Sequence, residues 1–460
     1  MAPPTADPAA LLRSSAYLRL LVVAAVLGAP ISAVAYWFLV LSGELGDALY
    51  TDLPGGLGLD PVPTWWPLPV LGAAGLLVGL VVHLVPGGGG ESPLHGFSPG
   101  GEAPSAVPLL GITVAALVSL GAGAVVGPEA PLIAIGGGLA ALTVRLARRD
   151  VPDQALAVIT ATGSFAAISA LFGSPLAGAF LLMEAAGIGG PMLRPILLPG
   201  LLSSGIGSLV FIGLDAWTGR GTFSLALPDL PPFARPDVAQ FGWAVAIGLA
   251  AAAVVAAIRR GAVLVKGPVE RRVVLASPVV GLVVAALAIG YAEVTGHEVT
   301  DVLFSGQDQL PELVSAGADY SVGALLLLLL CKSVAYAASL VAFRGGPTFP
   351  AIFLGAAGGM ALSHLPGLPM VPAIAMGMGA ACAAMLQLPL TSVLIATLVL
   401  GTDGLTVMPL VIVAVTVAFV ATARWTPAPP APPDPPGAPT AVPLPRAAAV
   451  PRPEGPARDA

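Results

Sequence analysis

The chain has 460 residues, of which 56% are hydrophobic and only 10% are charged, and its mean hydropathy is +0.92. Soluble domains carry roughly 25% charged residues, so this composition excludes an ordinary soluble protein and predicts an integral membrane protein. The formal net charge of −6 argues against a nucleic-acid partner.

Apolar runs that are long enough to cross a bilayer as helices recur along the chain. Apolar and polar residues do not alternate in these runs, which excludes a spanning β-barrel. The first run is too long for the core of a cleaved signal peptide. The predicted spans are Leu18–Leu41, Leu68–Val85, Val107–Val126, Ile196–Leu214, Phe241–Ile258, Val273–Tyr291, Val322–Val341 and Val407–Ala423.

The distribution of charge and of proline predicts the domain organisation. Residues 1–16 form a short cytoplasmic leader, 17–232 a first transmembrane half, 233–425 a second half, and 426–460 a Pro/Ala-rich tail that we expect to be disordered. Basic residues cluster near Arg13, Arg145, Arg259–Arg272 and Arg424. The positive-inside rule therefore places both termini in the cytoplasm and predicts a multi-pass protein of the plasma membrane.

Glycine and proline, at 57 and 48 residues, are too frequent for a bundle of plain spanning helices. Helices broken at membrane depth occur where transporters and channels bind ions. Two spacings each occur twice in the same order, which predicts two related halves: twelve positions from Gly163 to Pro175 and from Gly377 to Pro389, and five from Pro131 to Gly136 and from Pro350 to Gly355.

One carboxylate lies inside the first of these breaks. Glu129 stands between Pro128 and Pro131 in the stretch GAGAVVGPEAPLIAIGGG, and the nearest basic residue along the chain is Arg145. An unpaired charge within apolar runs indicates a functional site. Because proline fits the first turn of a helix, we expect Glu129 at a helix N-terminus, where the dipole stabilises either a carboxylate or a bound anion.

These residues resemble the motifs of the CLC family of chloride channels and chloride/proton antiporters. The resemblance runs from about Leu18 to Ala423. It implies an all-α polytopic, inverted-repeat fold of tilted and broken helices, without CBS domains, and a homodimer with one anion pathway in each subunit. The matching motifs are Gly127-Pro128-Glu129-Ala130-Pro131, Gly346-Pro347-Thr348-Phe349-Pro350 and Gly173-Ser174-Pro175-Leu176-Ala177-Gly178.

The resemblance also implies which residues form the site, with Glu129 as the gate. The family's filter serine falls on Gly90, so backbone amides of Gly88–Gly90 would form the anion nest there, with the hydroxyl of Ser92 as a substitute donor. The family's coordinating tyrosine has no counterpart after Ala423. The predicted anion-binding residues are Gly127, Pro128, Ala130, Gly346, Pro347, Thr348, Phe349, Gly89, Gly90 and Ser92.

The proton relay of the family's antiporters uses two adjacent glutamates, which read Glu184-Ala185 in this chain. Alanine cannot carry a proton, so the sequence favours a channel; Glu184 is either a proton carrier or, more favoured, a structural partner between helices. Lys332 either snorkels to an interface or lends positive potential to the pathway, and Arg344 has the same two interpretations.

The sequence thus predicts gated conduction of chloride or a similar monovalent anion, with the bilayer and a second copy of the chain as partners. The alternative is a chloride/proton antiporter that uses Glu129 and Glu184. An intramembrane enzyme is disfavoured, since the chain has no Gly-x-Ser-x-Gly elbow and no metal-binding histidine pair. We expect no enzymatic activity, cofactor or metal site, and the two cysteines, Cys331 and Cys382, are expected to be buried and unpaired.

Overall fold

A computed structural model describes residues 12–95, 103–147, 151–172, 174–187, 193–227, 230–231, 233, 235–317 and 319–425. The predicted tail, residues 426–460, and most of the predicted leader lie outside the described residues, as does Gly173 of the third motif. All regular structure within the described ranges is helical, apart from one isolated pair of bridged residues.

The long helices are α1 Ser15–Asp47, α2 Pro67–Leu84, α3 Ala106–Gly121, α4 Glu129–Ala147, α5 Asp153–Ala167, α6 Pro175–Ala185, α7 Leu193–Thr218, α8 Val238–Arg271, α9 Val273–Thr295, α10 Val322–Ala342, α11 Thr348–Leu362, α12 Met370–Leu386, α13 Pro389–Val399 and α14 Gly404–Trp425. Shorter helical segments are Ala48–Asp52, Leu53–Gly56, Pro93–His95, Val299–Asp301, Gln309–Ser315 and Gly401–Asp403.

Local sequence explains where several helices begin. Ser14 and Ser321 accept hydrogen bonds from backbone amides in the first turns of α1 and α10, and Asp237 forms a reciprocal capping box with Gln240 at the start of α8. Pro175 and Pro389 occupy the first positions of α6 and α13. A proline there loses no hydrogen bond, because the first amides of a helix have no intrahelical partner.

Eight helices of the described chain are long and apolar enough to span a membrane. Seven of them overlap the predicted spans. The prediction for Val107–Val126 was wrong in extent: α3 ends at Gly121, and the chain then leaves helical geometry near Gly123, whose φ is +87°. The helix α4 was not among the predicted spans, because Glu129, three successive glycines and Arg145 interrupt its apolar run.

The same order of helices occurs twice. In each half a helix that begins at a break is followed by a second helix packed against it, a short helix that starts with proline, and a longer helix: α4 to α7, then α11 to α14. The predicted boundary between residues 232 and 233 falls in the connection from α7 to α8.

The repeated glycines lie where the paired helices cross. A Cβ on Gly136 would lie 2.4 Å from the carbonyl oxygen of Gly163, and a Cβ on Gly355 would lie 2.3 Å from that of Gly377. The backbones of α4 and α5, and those of α11 and α12, therefore touch at equivalent points of the two halves. This crossing is the physical reason for the two spacings that the sequence repeats.

Candidate functional site

The two helix breaks meet each other. The amide of Gly127 donates to the carbonyl of Gly346 at 2.7 Å, and the amide of Gly346 donates to the carbonyl of Gly127 at 2.6 Å, as in an antiparallel β-bridge. The bridge uses the amides of both glycines, and Pro128 and Pro347 have no N–H. None of these four residues therefore offers a free amide to a ligand. These four predicted anion-binding residues position the site rather than donate to its occupant.

Glu129 is the first residue of α4, as predicted, and its side chain is fully buried. Its Oε1 accepts a hydrogen bond of 2.5 Å from the backbone amide of Thr348, the first residue of α11. Its Oε2 is buried, and the described residues offer it no hydrogen-bond partner. The carboxylate of one half thus occupies the helix N-terminus of the other half, in a position where such a terminus can also hold a free anion.

The second break is tightly packed. Thr348 is fully buried, and its Oγ1 has no partner in the described part of the chain. The ring of Phe349 stacks on Phe172 with the centroids 5.3 Å apart. The hydroxyl of Tyr336, on α10, donates to the carbonyl of Pro347 at 2.6 Å.

Three residues that hold the breaks in place were missed by the sequence analysis. Besides Tyr336, they are Ser119, whose Oγ accepts from the amide of Arg344 at 3.0 Å, and Ser339, whose Oγ accepts from the amide of Val125 at 3.2 Å. All three lie inside helices, and the two serines lie more than 200 residues from the segments they contact. No local pattern distinguishes them from other polar residues of apolar helices.

The predicted filter segment lies beside the first turn of α4. Four successive glycines, Gly87 to Gly90, have positive φ, a conformation that residues with side chains rarely adopt. A cavity of about 420 Å³ is lined by Gly89, Gly90 and Ser92 on one side and by Ala130 and Pro131 of α4 on another. Four of the ten predicted anion-binding residues, Gly89, Gly90, Ser92 and Ala130, thus line one cavity, and the other six do not.

Ser92 does not have its hydroxyl hydrogen free. Its Oγ donates to the carbonyl of Leu340 at 2.7 Å, so the single O–H cannot donate to an anion at the same time. In this structure Ser92 anchors the filter segment to α10 instead of substituting for the family's serine. Besides backbone amides, the cavity wall then contains two side chains whose donors are not all used, Thr160 and Arg344.

Glu184 lies near the end of α6 and caps α13 of the other half. Its carboxylate accepts from the amides of Leu390 and Thr391, at 2.9 and 2.7 Å, and from the hydroxyl of Thr391 at 2.6 Å. Both oxygens are therefore engaged by the first turn of a helix, an arrangement that stabilises a carboxylate.

Lys332 is fully buried and does not reach an interface. Its ammonium group donates to the carbonyls of Asp301, Val302 and Leu303, at 2.8, 3.2 and 2.9 Å, and lies 4.3 Å from the ring centroid of Phe353. Of the two interpretations left open by the sequence, snorkelling is wrong. Lys332 instead fastens the Val299–Asp301 turn to α10.

The fold and the paired breaks define a class of protein, namely helical membrane proteins with two related halves that meet at opposed helix N-termini. The sequence model of the family described as "Voltage gated chloride channel" matches residues 74–423. The chain belongs to this family, the CLC family of anion channels and transporters, which is not a family of enzymes. The predicted family is confirmed, and with it anion transport in the coarse sense.

Curated relatives cover most of the chain. "Putative ion-transport protein YfeO" of Escherichia coli O17:K52:H18 (strain UMN026 / ExPEC) is 28% identical over 363 residues, which are 78% of this chain and 82% of the relative. The protein of the same name from Escherichia coli O1:K1 / APEC is 29% identical over 364 residues, with the same shares of the two chains.

Solved structures share the fold. A slow cyanobacterial Cl⁻/H⁺ antiporter matches with a TM-score of 0.69 at 19% identity, covering 88% of this chain and 94% of its own. A CLC-type fluoride/proton antiporter matches with a TM-score of 0.62 at 18% identity, covering 89% and 96%. The predicted fold class is therefore confirmed, while identities this low show the fold alone.

Proposed function

We propose that the protein conducts chloride or a similar monovalent anion passively across the membrane, and that Glu129 is the gate. In the closed state the ionised carboxylate occupies the N-terminus of α11. The pathway opens when the carboxylate is protonated or displaced by the permeating anion, since one site cannot hold two negative charges at once.

The observation that carries this proposal is the hydrogen bond from the Thr348 amide to Oε1 of the fully buried Glu129. Backbone dipoles, and not a full positive charge, offset the dehydration of the occupant. Binding by such dipoles is weak enough to allow release, which conduction requires. The unpartnered Oε2 is the atom of the carboxyl group that can take up a proton without losing an existing bond.

Proton-coupled exchange is the second candidate, because two of the structurally similar proteins are described as antiporters that move protons. Two observations favour a channel instead. Residue 185 is alanine, and the carboxylate of Glu184 is engaged by two amides and a hydroxyl of α13. A proton relay would have to break these contacts in each cycle.

The decisive experiment measures chloride efflux and external pH together in proteoliposomes that contain the full chain. We expect wild-type efflux to rise as the pH falls and no stoichiometric proton movement to accompany it. Glu129→Gln and Glu129→Ala should abolish the pH dependence while leaving or raising the efflux. An unchanged pH dependence in both variants would refute the gate role, and proton uptake driven by a chloride gradient would establish the exchanger.

Three further properties belong to the same proposal: a homodimer with one pathway in each subunit, a location in the plasma membrane, and cytoplasmic termini. Basic residues near Arg259–Arg272 and at Arg424 support the orientation through the positive-inside rule. Cross-linking in native membranes tests the dimer. Protease protection of an epitope placed at the C-terminus tests the orientation.

A further inference from the structure

An apolar cavity of about 720 Å³ lies between α8, α9 and α10. Among the described residues that line it, Ser333 alone has a polar side chain. The cavity is open at the surface of these spanning helices, because Val265 of α8, Val283 of α9 and Val334 of α10 line it and are 38%, 45% and 44% exposed. Its described lining residues do not overlap with those of the cavity beside the gate, so it is a separate site.

The cavity exists because α8 and α9 pack on different neighbours. A Cβ on Gly281 of α9 would lie 2.1 Å from the carbonyl oxygen of Leu71 on α2. A Cβ on Gly248 of α8 would lie 2.7 Å from the carbonyl oxygen of Ala414 on α14. Each helix thus makes its closest backbone contact away from the other, although the two join directly at Arg272. The space left between them, with α10 as a third wall, is the cavity.

The cavity is elongated and has one apolar end. Its lining residues on α8 run from Val254 to Val269. At 1.5 Å per residue this is about 22 Å, more than the roughly 15 Å of hydrocarbon in one leaflet of a bilayer. Residues 238–258 of α8 include no charged side chain, whereas the other end of the cavity approaches the turn at Arg272. A long apolar ligand with one charged end therefore fits in a single orientation, with its charged end at the turn.

The turn between α8 and α9 is basic. Arg272 lies four residues after Pro268 and four before Ala276, which both line the cavity, so it takes the next position on the cavity-facing stripe of each helix. Arg272 is exposed and is not part of the ion pairs within the described residues. Residues 259–272 contain a single carboxylate, Glu270, and five basic residues, namely Arg259, Arg260, Lys266, Arg271 and Arg272. Basic residues at the end of an apolar slot between spanning helices complement a lipid phosphate.

We propose that this cavity binds one anionic phospholipid, with an acyl chain between α8, α9 and α10 and the headgroup phosphate at Arg272. The inference does not depend on anion conduction. A zwitterionic phospholipid fills the slot equally well, but its own ammonium group offsets the phosphate charge, so it gains less from the guanidinium. A soluble phosphate ester has the charge and lacks the chain that buries the apolar walls.

The test measures thermal unfolding of the full chain in a neutral detergent. The additives are phosphatidylglycerol, phosphatidylcholine with the same acyl chains, and glycerol 3-phosphate. A ligand that binds only the folded protein raises its unfolding temperature. We expect phosphatidylglycerol to stabilise wild type at roughly fivefold lower concentration than phosphatidylcholine, since one arginine contributes about this factor near an anionic headgroup. We expect no effect of glycerol 3-phosphate. Equal effects of the two lipids, or stabilisation by glycerol 3-phosphate, overturn the inference without any variant that has to fold.

A pair of variants tests the charged end. Arg272→Gln should remove the preference for phosphatidylglycerol over phosphatidylcholine. Arg260→Gln is the matched control and should keep the preference, because Arg260 is exposed on α8 but donates to the carbonyl of Trp425 on α14. An Arg272→Gln protein that keeps the wild-type preference overturns the assignment of the phosphate.

A second pair tests the apolar slot. Val334→Trp places a large ring in the cavity and should abolish the stabilisation by both lipids. Leu326→Trp is the control, since Leu326 is exposed on the same helix and does not line the cavity. Stabilisation of Val334→Trp equal to that of Leu326→Trp overturns the inference. Because none of these measurements uses ion flux, a failure to observe anion efflux bears on the proposed function alone.

Discussion

The carboxyl group of Glu129 fills the space above Gly346. A Cβ built on Gly346 would lie 2.1 Å from the carboxyl carbon of Glu129, and a Cβ on Gly127 would lie 2.1 Å from its Oε2. Neither glycine has a positive φ. The absence of a side chain at the two bridge residues therefore leaves the space that the carboxyl group of the closed gate occupies.

Gly346→Ala should therefore displace the gate. The methyl group collides with the end of a flexible side chain, so the carboxylate has to move away from the Thr348 amide while the backbone bridge remains. We expect raised chloride efflux and a weakened pH dependence, as in Glu129→Ala. Efflux from proteoliposomes between pH 5 and 8 measures both effects.

Gly358→Ala, on the helix α11 that follows the break, provides the control, because its Cβ would make only ordinary contacts, at 3.9 Å from the side chain of Leu329. It should leave efflux and pH dependence as in wild type. If size-exclusion chromatography shows that the Gly346→Ala protein is folded, and its efflux still has the wild-type pH dependence, the proposed position of the closed gate is contradicted.

The sequence predicted the helix N-terminus at Glu129, the second break, and the occurrence of the two breaks at matching positions of two related halves. These features depend on local patterns of proline, glycine and charge. It did not predict that Gly127 and Gly346 satisfy each other's amides or that Ser92 donates to Leu340. Such contacts join residues far apart along the chain, and each polar group has several possible partners that a single sequence does not rank. For the same reason Glu184 was left with two roles until its partner helix was known.

Glu184 should prove more important for stability than for proton movement. Glu184→Ala removes the acceptor of two first-turn amides and one hydroxyl of α13, and the loss of such a cap costs about 1–2 kcal/mol. We expect a lower unfolding temperature in detergent, with chloride efflux per folded protein unchanged. Glu44→Ala, which removes an exposed ion pair with Arg220, should cost at most about 1 kcal/mol. If Glu184→Ala instead unfolds at the wild-type temperature and loses a proton movement that wild type shows, Glu184 is a proton carrier.

The crossing of α11 and α12 should not tolerate a side chain. A Cβ on Gly377 would lie 2.0 Å from the carbonyl oxygen of Gly355, so Gly377→Ala has to push two backbones apart, at a cost of about 1–3 kcal/mol. Thermal unfolding in detergent measures the loss. Gly290→Ala, at an exposed position of α9 with nothing within 4 Å, should leave stability unchanged or improve it slightly. Equal unfolding temperatures for the two variants would refute the close crossing.

Lys332 should likewise act on stability. Lys332→Met leaves the carbonyls of Asp301, Val302 and Leu303 without their donor. We expect the free energy of unfolding to fall by about 3 kcal/mol, because leaving these acceptors unpaired costs more free energy than removing the buried charge gains. Lys266→Met is the control, since Lys266 is partly exposed and pairs with Glu270 within one helix turn.

The segment that Lys332 fastens continues into Phe304, whose amide donates to the carbonyl of Gly123 at 2.9 Å, close to the first break. If Lys332 instead attracted anions electrostatically, Lys332→Met would unfold at the wild-type temperature and show a lower chloride affinity in efflux assays. A stability loss with unchanged chloride affinity in the folded fraction therefore separates a structural lysine from an electrostatic one.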